Sequence, residues 1–419
     1  MMIRFNNIRE NILCILFFFP QINYYLSSLL SSYNIQTITP LIYACLMLCG
    51  FLVIMWSFKR KKTLILLFFL LISLLLTVII NPETIRFMFN EQILSSPVIM
   101  LVLIYYPIFL LFFTKLDLNI LLKKVNKYSV FIILIALVSF VNYVFVLGDN
   151  LPDYMTFSYM IISPIIFCTI ASIHNKKMIF FSILGFVLIF IGGCRGALLT
   201  IAVFYILTIL KYLSNGNRKR DVLLKVLILL FLISIIFFWE VIMKNAFSIL
   251  ESFGYHSRVF STILGSSYGG EELSFFNSST RLEIWENAIR SIRLIGYGLF
   301  GDRTVIVNEY NDPSYVHNWI LEILLSFGLV LGMIVVALIF YFIIRAFIFS
   351  KKSLDMRKIM LSYALFSVLM IKHSISASFI TSIDFWFYLG MGYYLQNNIA
   401  LMKGGGVIDS KSIKIESFK

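Results

Sequence analysis

Charge is scarce in this chain: 13% of its 419 residues are Asp, Glu, Lys or Arg, against roughly 25% in a soluble globular domain. Cysteine is scarce too. Its five copies, Cys14, Cys45, Cys49, Cys168 and Cys194, lie in or beside apolar runs without metal-ligand spacing. Neither a disulfide framework nor a zinc site therefore organises the fold. No D-x-D triplet occurs. What fills the chain instead is apolar: 60% of residues are hydrophobic, and there are 42 Phe. No soluble core could bury that much apolar surface, so the bilayer must be the solvent.

A bilayer core about 30 Å thick takes roughly 20 apolar residues per helix. That ruler predicts an all-α polytopic membrane protein of about twelve spans, near 11–30, 38–58, 63–80, 98–114, 128–147, 157–173, 178–193, 196–213, 222–242, 318–345, 359–378 and 383–402. The first is interrupted by Pro20, Gln21 and Asn23. The seventh and eighth are separated by little more than Cys194 and Arg195, which predicts a tight hairpin. No small-residue cleavage site follows the first apolar stretch, so a retained span is expected there rather than a cleaved signal peptide.

The basic excess, 35 Lys and Arg against 21 Asp and Glu, is explained by where the charges sit. With a cytoplasmic N-terminus, 26 of the 35 fall on the inner side, including KRKK at 59–62 and NRKRD at 217–221. The outer side keeps nine, against fifteen acidic residues. This is the positive-inside asymmetry of a membrane protein, not a nucleic-acid footprint. An even span count places both termini in the cytoplasm.

One connection is long. Residues 243–316 are expected outside, dividing the chain into spans one to nine (1–242), the outer loop (243–316), spans ten to twelve (317–402) and a cytoplasmic tail (403–419). The loop holds GSSYGGEE and then STRLEIWENAIRSIRLIGYGLFG. Leu282, Trp285, Ile289 and Ile292 recur there at helical spacing, which predicts an amphipathic helix on the outer membrane surface, closed by Gly296. A long loop in a lean membrane protein is more often functional than ornamental. No internal repeat or inverted symmetry is visible, which disfavours a secondary transporter.

Three outer-side features carry chemistry. Arg195 sits in IGGCRGALL, where one span ends and the next begins. It fits either a side chain snorkelling to lipid phosphates or a planar fork aimed at a phosphorylated ligand; the flanking Gly192, Gly193 and Gly196 favour the second. Arg281 opens the amphipathic segment after Ser278–Ser279–Thr280, while Arg290 and Arg293 read more readily as surface charges or lipid contacts. His317 begins the tenth span beside Asn318, and Asn318 and Glu322 share a helical face. A carboxylate one turn into a membrane is costly without a partner. Glu240, Glu322, Lys372 and Asp384 are the charges within spans, all toward the outer side. Lys372 and His373 with Asp384 could complete a site, but pairing across the last hairpin is the simpler expectation.

GCRGALL, then STRLEIWENAIRSIRLIGYGLFG, then HNWILEILLSFGLVLG resembles the ordered pattern of the O-antigen polymerase and O-antigen ligase superfamily (Wzy-type polysaccharide polymerases). The matching positions are Arg195 and Gly196; Arg281, Trp285, Gly296 and Gly298; and His317, Asn318, Gly328 and Gly332. They span residues 192–332, about a third of the chain. Cys194 departs from the Ser that often precedes the family's Arg.

The resemblance implies a glycosyltransferase of the bacterial inner membrane that uses no cofactor and no metal, in keeping with the missing D-x-D. Its donor would be a glycan on undecaprenyl pyrophosphate, and its acceptor the hydroxyl of another lipid-linked repeat unit. Arg195 and Arg281 would stabilise the pyrophosphate leaving group, and His317 would act as general base, since histidine titrates near neutral pH. Gly196, Trp285, Arg290, Asn318 and Glu322 would line the substrate. Membrane lipids, a chain-length regulator and the flippase of the same pathway are the implied partners. The expected function is polymerisation of O-antigen or capsular repeat units. The alternatives are ligation of finished polymer to lipid A-core and, from another class, a lipid-linked glycan flippase.

Overall fold

A computed structural model describes residues 7–31, 38–89, 96–114, 116–143, 154–192, 194–213, 280–310, 315–351, 353 and 355–404, with the single positions 245, 248 and 252. Among the described residues every regular element is helical. Six helices are long and apolar enough to cross a membrane: α1 (Ile8–Ser31), α2 (Ile38–Ser57), α3 (Lys61–Ile80), α5 (Leu118–Val141), α11 (Trp319–Lys351) and α12 (Met356–Ile375). Three shorter apolar helices join them: α4 (Pro97–Leu111), α6 (Tyr154–Ala171) and α7 (Met178–Gly192). Helices α8 (Arg195–Leu213) and α13 (Ile383–Gly404) occupy the eighth and twelfth expected spans. The ninth expected span, 222–242, and most of 243–279 lie outside the described residues, as does the tail beyond 404.

Lipid and protein faces separate by side-chain chemistry. On α3, Phe68, Phe69, Ile72, Leu75, Leu76 and Ile79 are exposed, and Leu67 and Leu70 are buried. The polar interruptions of α1 turn inward: Gln21 and Asn23 are buried, and Tyr25 donates to the carbonyl of Phe157 at 2.7 Å. Pro20 stays inside the helix without ending it. Without a hydrophobic force between helices in lipid, association rests on close packing and interhelical hydrogen bonds.

Helix α4 shows how one residue redirects a span. Pro107 has no N–H to give the Leu103 carbonyl, and residues 101–105 widen into a π turn. That carbonyl faces α2, where Gly50 alone leaves room for it.

Two expected spans have other limits. The fifth begins ten residues early, at Leu118, because Asp117 caps it by accepting the N–H groups of Asn119 (2.8 Å) and Ile120 (3.2 Å). Its basic first turns are helix rather than loop, with Lys124 donating to Asn7 O at 3.0 Å and Glu10 accepting the Asp117 N–H at 2.8 Å. Straight, α11 would run about 50 Å at 1.5 Å per residue, far beyond the bilayer core. It is not straight: Gly328, with φ 80° and ψ 174°, breaks it into a short lead-in and the span proper. The break also turns Gly332 against Leu324.

The amphipathic segment is helical as expected, α9 (Thr280–Arg290), but two details change. It ends at Arg290, short of Gly296. Its inward face carries Ile284 and Ala288, packed with Ile306, Val316 and Leu325, while Leu282 and Ile289 are exposed. Mixed polarity made either rotation compatible with the pattern; the apolar cluster beneath it selected this one. Helix α10 (Gly301–Tyr310) follows. Between them the chain passes beside the α11 break: Tyr297 and Gly298 donate to Leu325 O and Ser326 O at 2.8 and 2.9 Å, and Leu329 donates to Arg293 O at 2.8 Å.

Candidate functional site

The features read from the sequence meet at one end of the bundle, where α6 and α8 begin, α12 ends, and α9, α10 and the lead-in of α11 close over them. The opposite end is tied by the Glu10–Asp117, Lys124–Asn7 and Arg60–Phe113 contacts.

Tyr159, on the first turns of α6, is the junction. A Cβ on Gly196 would collide with its hydroxyl, so glycine after Arg195 lets α8 start against the Tyr159 side chain. The same hydroxyl reaches the side chains of Cys194 and Ser376. Beneath the ring stands the Lys372 ammonium, 5.4 Å from its centroid. A π turn at 367–372 delivers that lysine. Lys372 is buried in an ion pair with Asp384, whose other oxygen accepts from Ser163 at 2.8 Å. The expected pairing across the last hairpin is therefore present.

Arg281 enters from α9. Its Nη1 donates to Ile375 O at 3.2 Å, and its Nη2 reaches the Met155 sulfur at 3.9 Å. Its charge also acts on Cys194, Tyr159 and Tyr315. Arg195 opens α8 one residue after Cys194. The two guanidinium-bearing residues, 86 positions apart in sequence, thus border the same turn. Cys194 is buried, and burial pushes its thiol up, which keeps it in the unreactive protonated form.

His317 stands on the third side. Its φ is 59°, in the left-handed region that a non-glycine residue rarely occupies. Its ring lies 4.2 Å, centroid to centroid, from that of Tyr315, whose hydroxyl donates to Ser376 O at 2.9 Å. Burial and then the Glu322 charge push the Tyr315 phenol up to about 12, against the lowering effects of Arg303 and Arg281. Asn318 caps α11, accepting from Ile320 and Leu321 at 3.0 and 3.3 Å, and donates to Ser374 O at 3.2 Å. Trp285 Nε1 donates to Val316 O at 2.9 Å.

The remaining expected site residues are placed differently. Glu322 is fully buried, and its oxygens accept from Ser378 Oγ at 2.5 Å and the Phe379 N–H at 2.8 Å. Its carboxylate anchors the loop between α12 and α13. Arg290 pairs with Glu286 at 2.6 Å on the exposed side of α9. Pairs of this kind contribute only about 0.3–0.5 kcal/mol. Tyr159 and Tyr315 were not singled out in the sequence. Tyr315 lies two residues from His317 and was within reach of a motif reading; Tyr159 is one of several aromatics in an apolar helix and gave no signal.

These elements define an integral membrane protein with a cationic, tyrosine-lined cluster at one end of its helices, beside an amphipathic segment. Comparison with known families agrees with the motifs: residues 180–336 match a family model described as O-antigen ligase, which supports the O-antigen polymerase and ligase superfamily. No curated protein matches the chain, and no solved structure matches it.

Proposed function

We propose that the chain polymerises undecaprenyl-pyrophosphate-linked oligosaccharide repeat units, as a glycosyltransferase of the bacterial inner membrane working at its outer face. The observation that carries this reading is the meeting of Arg281 and His317 at the Tyr159–Tyr315 cluster, with Arg195 opening α8 beside it, from motifs far apart in sequence. In the proposed step the acceptor hydroxyl oxygen attacks the anomeric carbon of the donor glycan. His317 takes the hydroxyl proton, the carbon–oxygen bond to the pyrophosphate breaks, and undecaprenyl pyrophosphate leaves with the electron pair. The arginines offset the charge that develops on it. The site needs no metal in this scheme, because the cationic side chains do that work.

A second reading is ligation of finished polymer to lipid A-core, favoured by the description of the matched family as O-antigen ligase. Both use the same donor chemistry and differ in the acceptor. The surface glycan of a deletion strain, resolved by length, separates them. Single repeat units on lipid A-core support polymerisation. Bare core with lipid-linked polymer supports ligation, and loss of all exported glycan would overturn both in favour of a flippase.

A further inference from the structure

Phe300 and His317 are the two non-glycine residues among the described ones with positive φ, 66° and 59°. Such a conformation costs on the order of 1–3 kcal/mol and persists where its surroundings over-determine it. One hydrogen bond links the two neighbourhoods. Asp302, two residues after Phe300, accepts the Val316 N–H, one residue before His317, through Oδ2 at 3.3 Å. Asp302 is fully buried, and its Oδ1 has no hydrogen-bond partner among the described residues.

The other polar group of Val316 is held as well. Trp285 Nε1 donates to its carbonyl at 2.9 Å, and Val316 itself is buried beneath α9. The peptide units on both sides of Val316 are thus gripped by side chains, one from α10 and one from α9. The carbonyl bond sets the plane of the Val316–His317 peptide, hence φ of His317. On the far side, the Asn318 cap fixes the chain into α11. Between these two held ends His317 keeps its positive φ, with the imidazole against Tyr315.

We infer that Asp302 is a positioning residue for His317, holding its imidazole in place through the Val316 N–H and acting together with Trp285. This rests on the assignment of His317 as the base. The role needs an acceptor oxygen and no charge. Burial raises the Asp302 carboxyl above its ordinary range, against the lowering effect of Arg303, and the amide of asparagine offers the same acceptor oxygen in nearly the same shape.

The test uses the purified full-length chain in proteoliposomes and two readouts. The first is the rate at which diethyl pyrocarbonate modifies His317, followed by mass spectrometry, which is independent of any activity. The second is glycosyl transfer, with kcat and donor KM separated. Asp302→Ala should raise His317 modification about threefold or more, and lower kcat about 10–100-fold with donor KM little changed, as misplacement of a base by about 1 Å does. Asp302→Asn should restore both, because its amide oxygen still accepts the Val316 N–H. Trp285→Phe keeps an aromatic ring but removes the second anchor, and should also raise modification; if Asp302→Ala does not fold, Asp302→Leu, close in volume but without an acceptor oxygen, takes its place. Unchanged modification in Asp302→Ala and Trp285→Phe would overturn the inference. So would an Asp302→Asn variant as impaired as Asp302→Ala, since charge would then matter rather than the hydrogen bond. If the wild-type chain transfers no glycan, the proposed activity fails while the modification rates still decide the role of Asp302.

Discussion

Gly296 and Gly328 pack backbone against backbone: a Cβ on either would collide with main-chain atoms of the other's segment. Gly328 also has φ 80° and ψ 174°, a region reached essentially by glycine alone. This contact joins the segment after α9 to the break in α11, and so sets where both α9 and the His317 lead-in sit. Gly328→Ala should lower stability by about 1–3 kcal/mol, read as a lower melting temperature in detergent, and Gly296→Ala should behave alike. A wild-type melting temperature in both variants would show that the two segments do not depend on this approach.

Arg195→Ala and Arg281→Ala should abolish polymer while the protein still inserts. A charge-assisted contact is worth about 1.5–3 kcal/mol, and more where charge develops in the transition state. Lysine at either position should rescue in part, since an ammonium lacks the bidentate fork. Arg281 also ties α9 to Ile375 and Met155, so the comparison is made at equal protein level and melting temperature. Wild-type chain length in an alanine variant would remove that arginine from the site.

His317→Gln should block transfer while donor binding survives, leaving bound, unreacted donor. The measurement is the rate in liposomes from about pH 5.5 to 8.5, the range in which histidine changes charge. A retained rate with an unchanged profile would make His317 structural.

The Lys372–Asp384 pair is buried. Removing one partner leaves an unpaired charge and should cost about 3–5 kcal/mol. Lys372→Met should therefore accumulate poorly, and Lys372→Met combined with Asp384→Leu should recover much of the lost protein. Because Lys372 also underlies the Tyr159 ring, the double variant should be folded but slow. Full activity in it would confine the pair to a structural role.

Reporter fusions test the sidedness. A reporter active only outside the cytoplasm should be active at Ser267 and silent at Asn217. The reverse pattern would invert the membrane orientation and put the cluster on the wrong face for a lipid-linked donor.

Much of this was legible in one dimension. Transfer of apolar residues into lipid is a local, additive free energy, so helix content and the approximate position of most described spans followed from hydropathy alone. Loop charge likewise gave an expected orientation, and the three motifs, in order, pointed to Arg195, Arg281 and His317. Tertiary structure decided what depends on contacts between distant residues. The face α9 buries was chosen by Ile306, Val316 and Leu325 beneath it, and the break at Gly328 by the backbone of 294–296 lying against it. Glu322 became an anchor because the 378–379 loop reaches both its oxygens. Tyr159 and Asp302 acquired their places from partners at 196 and 316. No periodicity records such pairings, because steric fit and hydrogen-bond direction are properties of the packed helices and exist only once those helices meet.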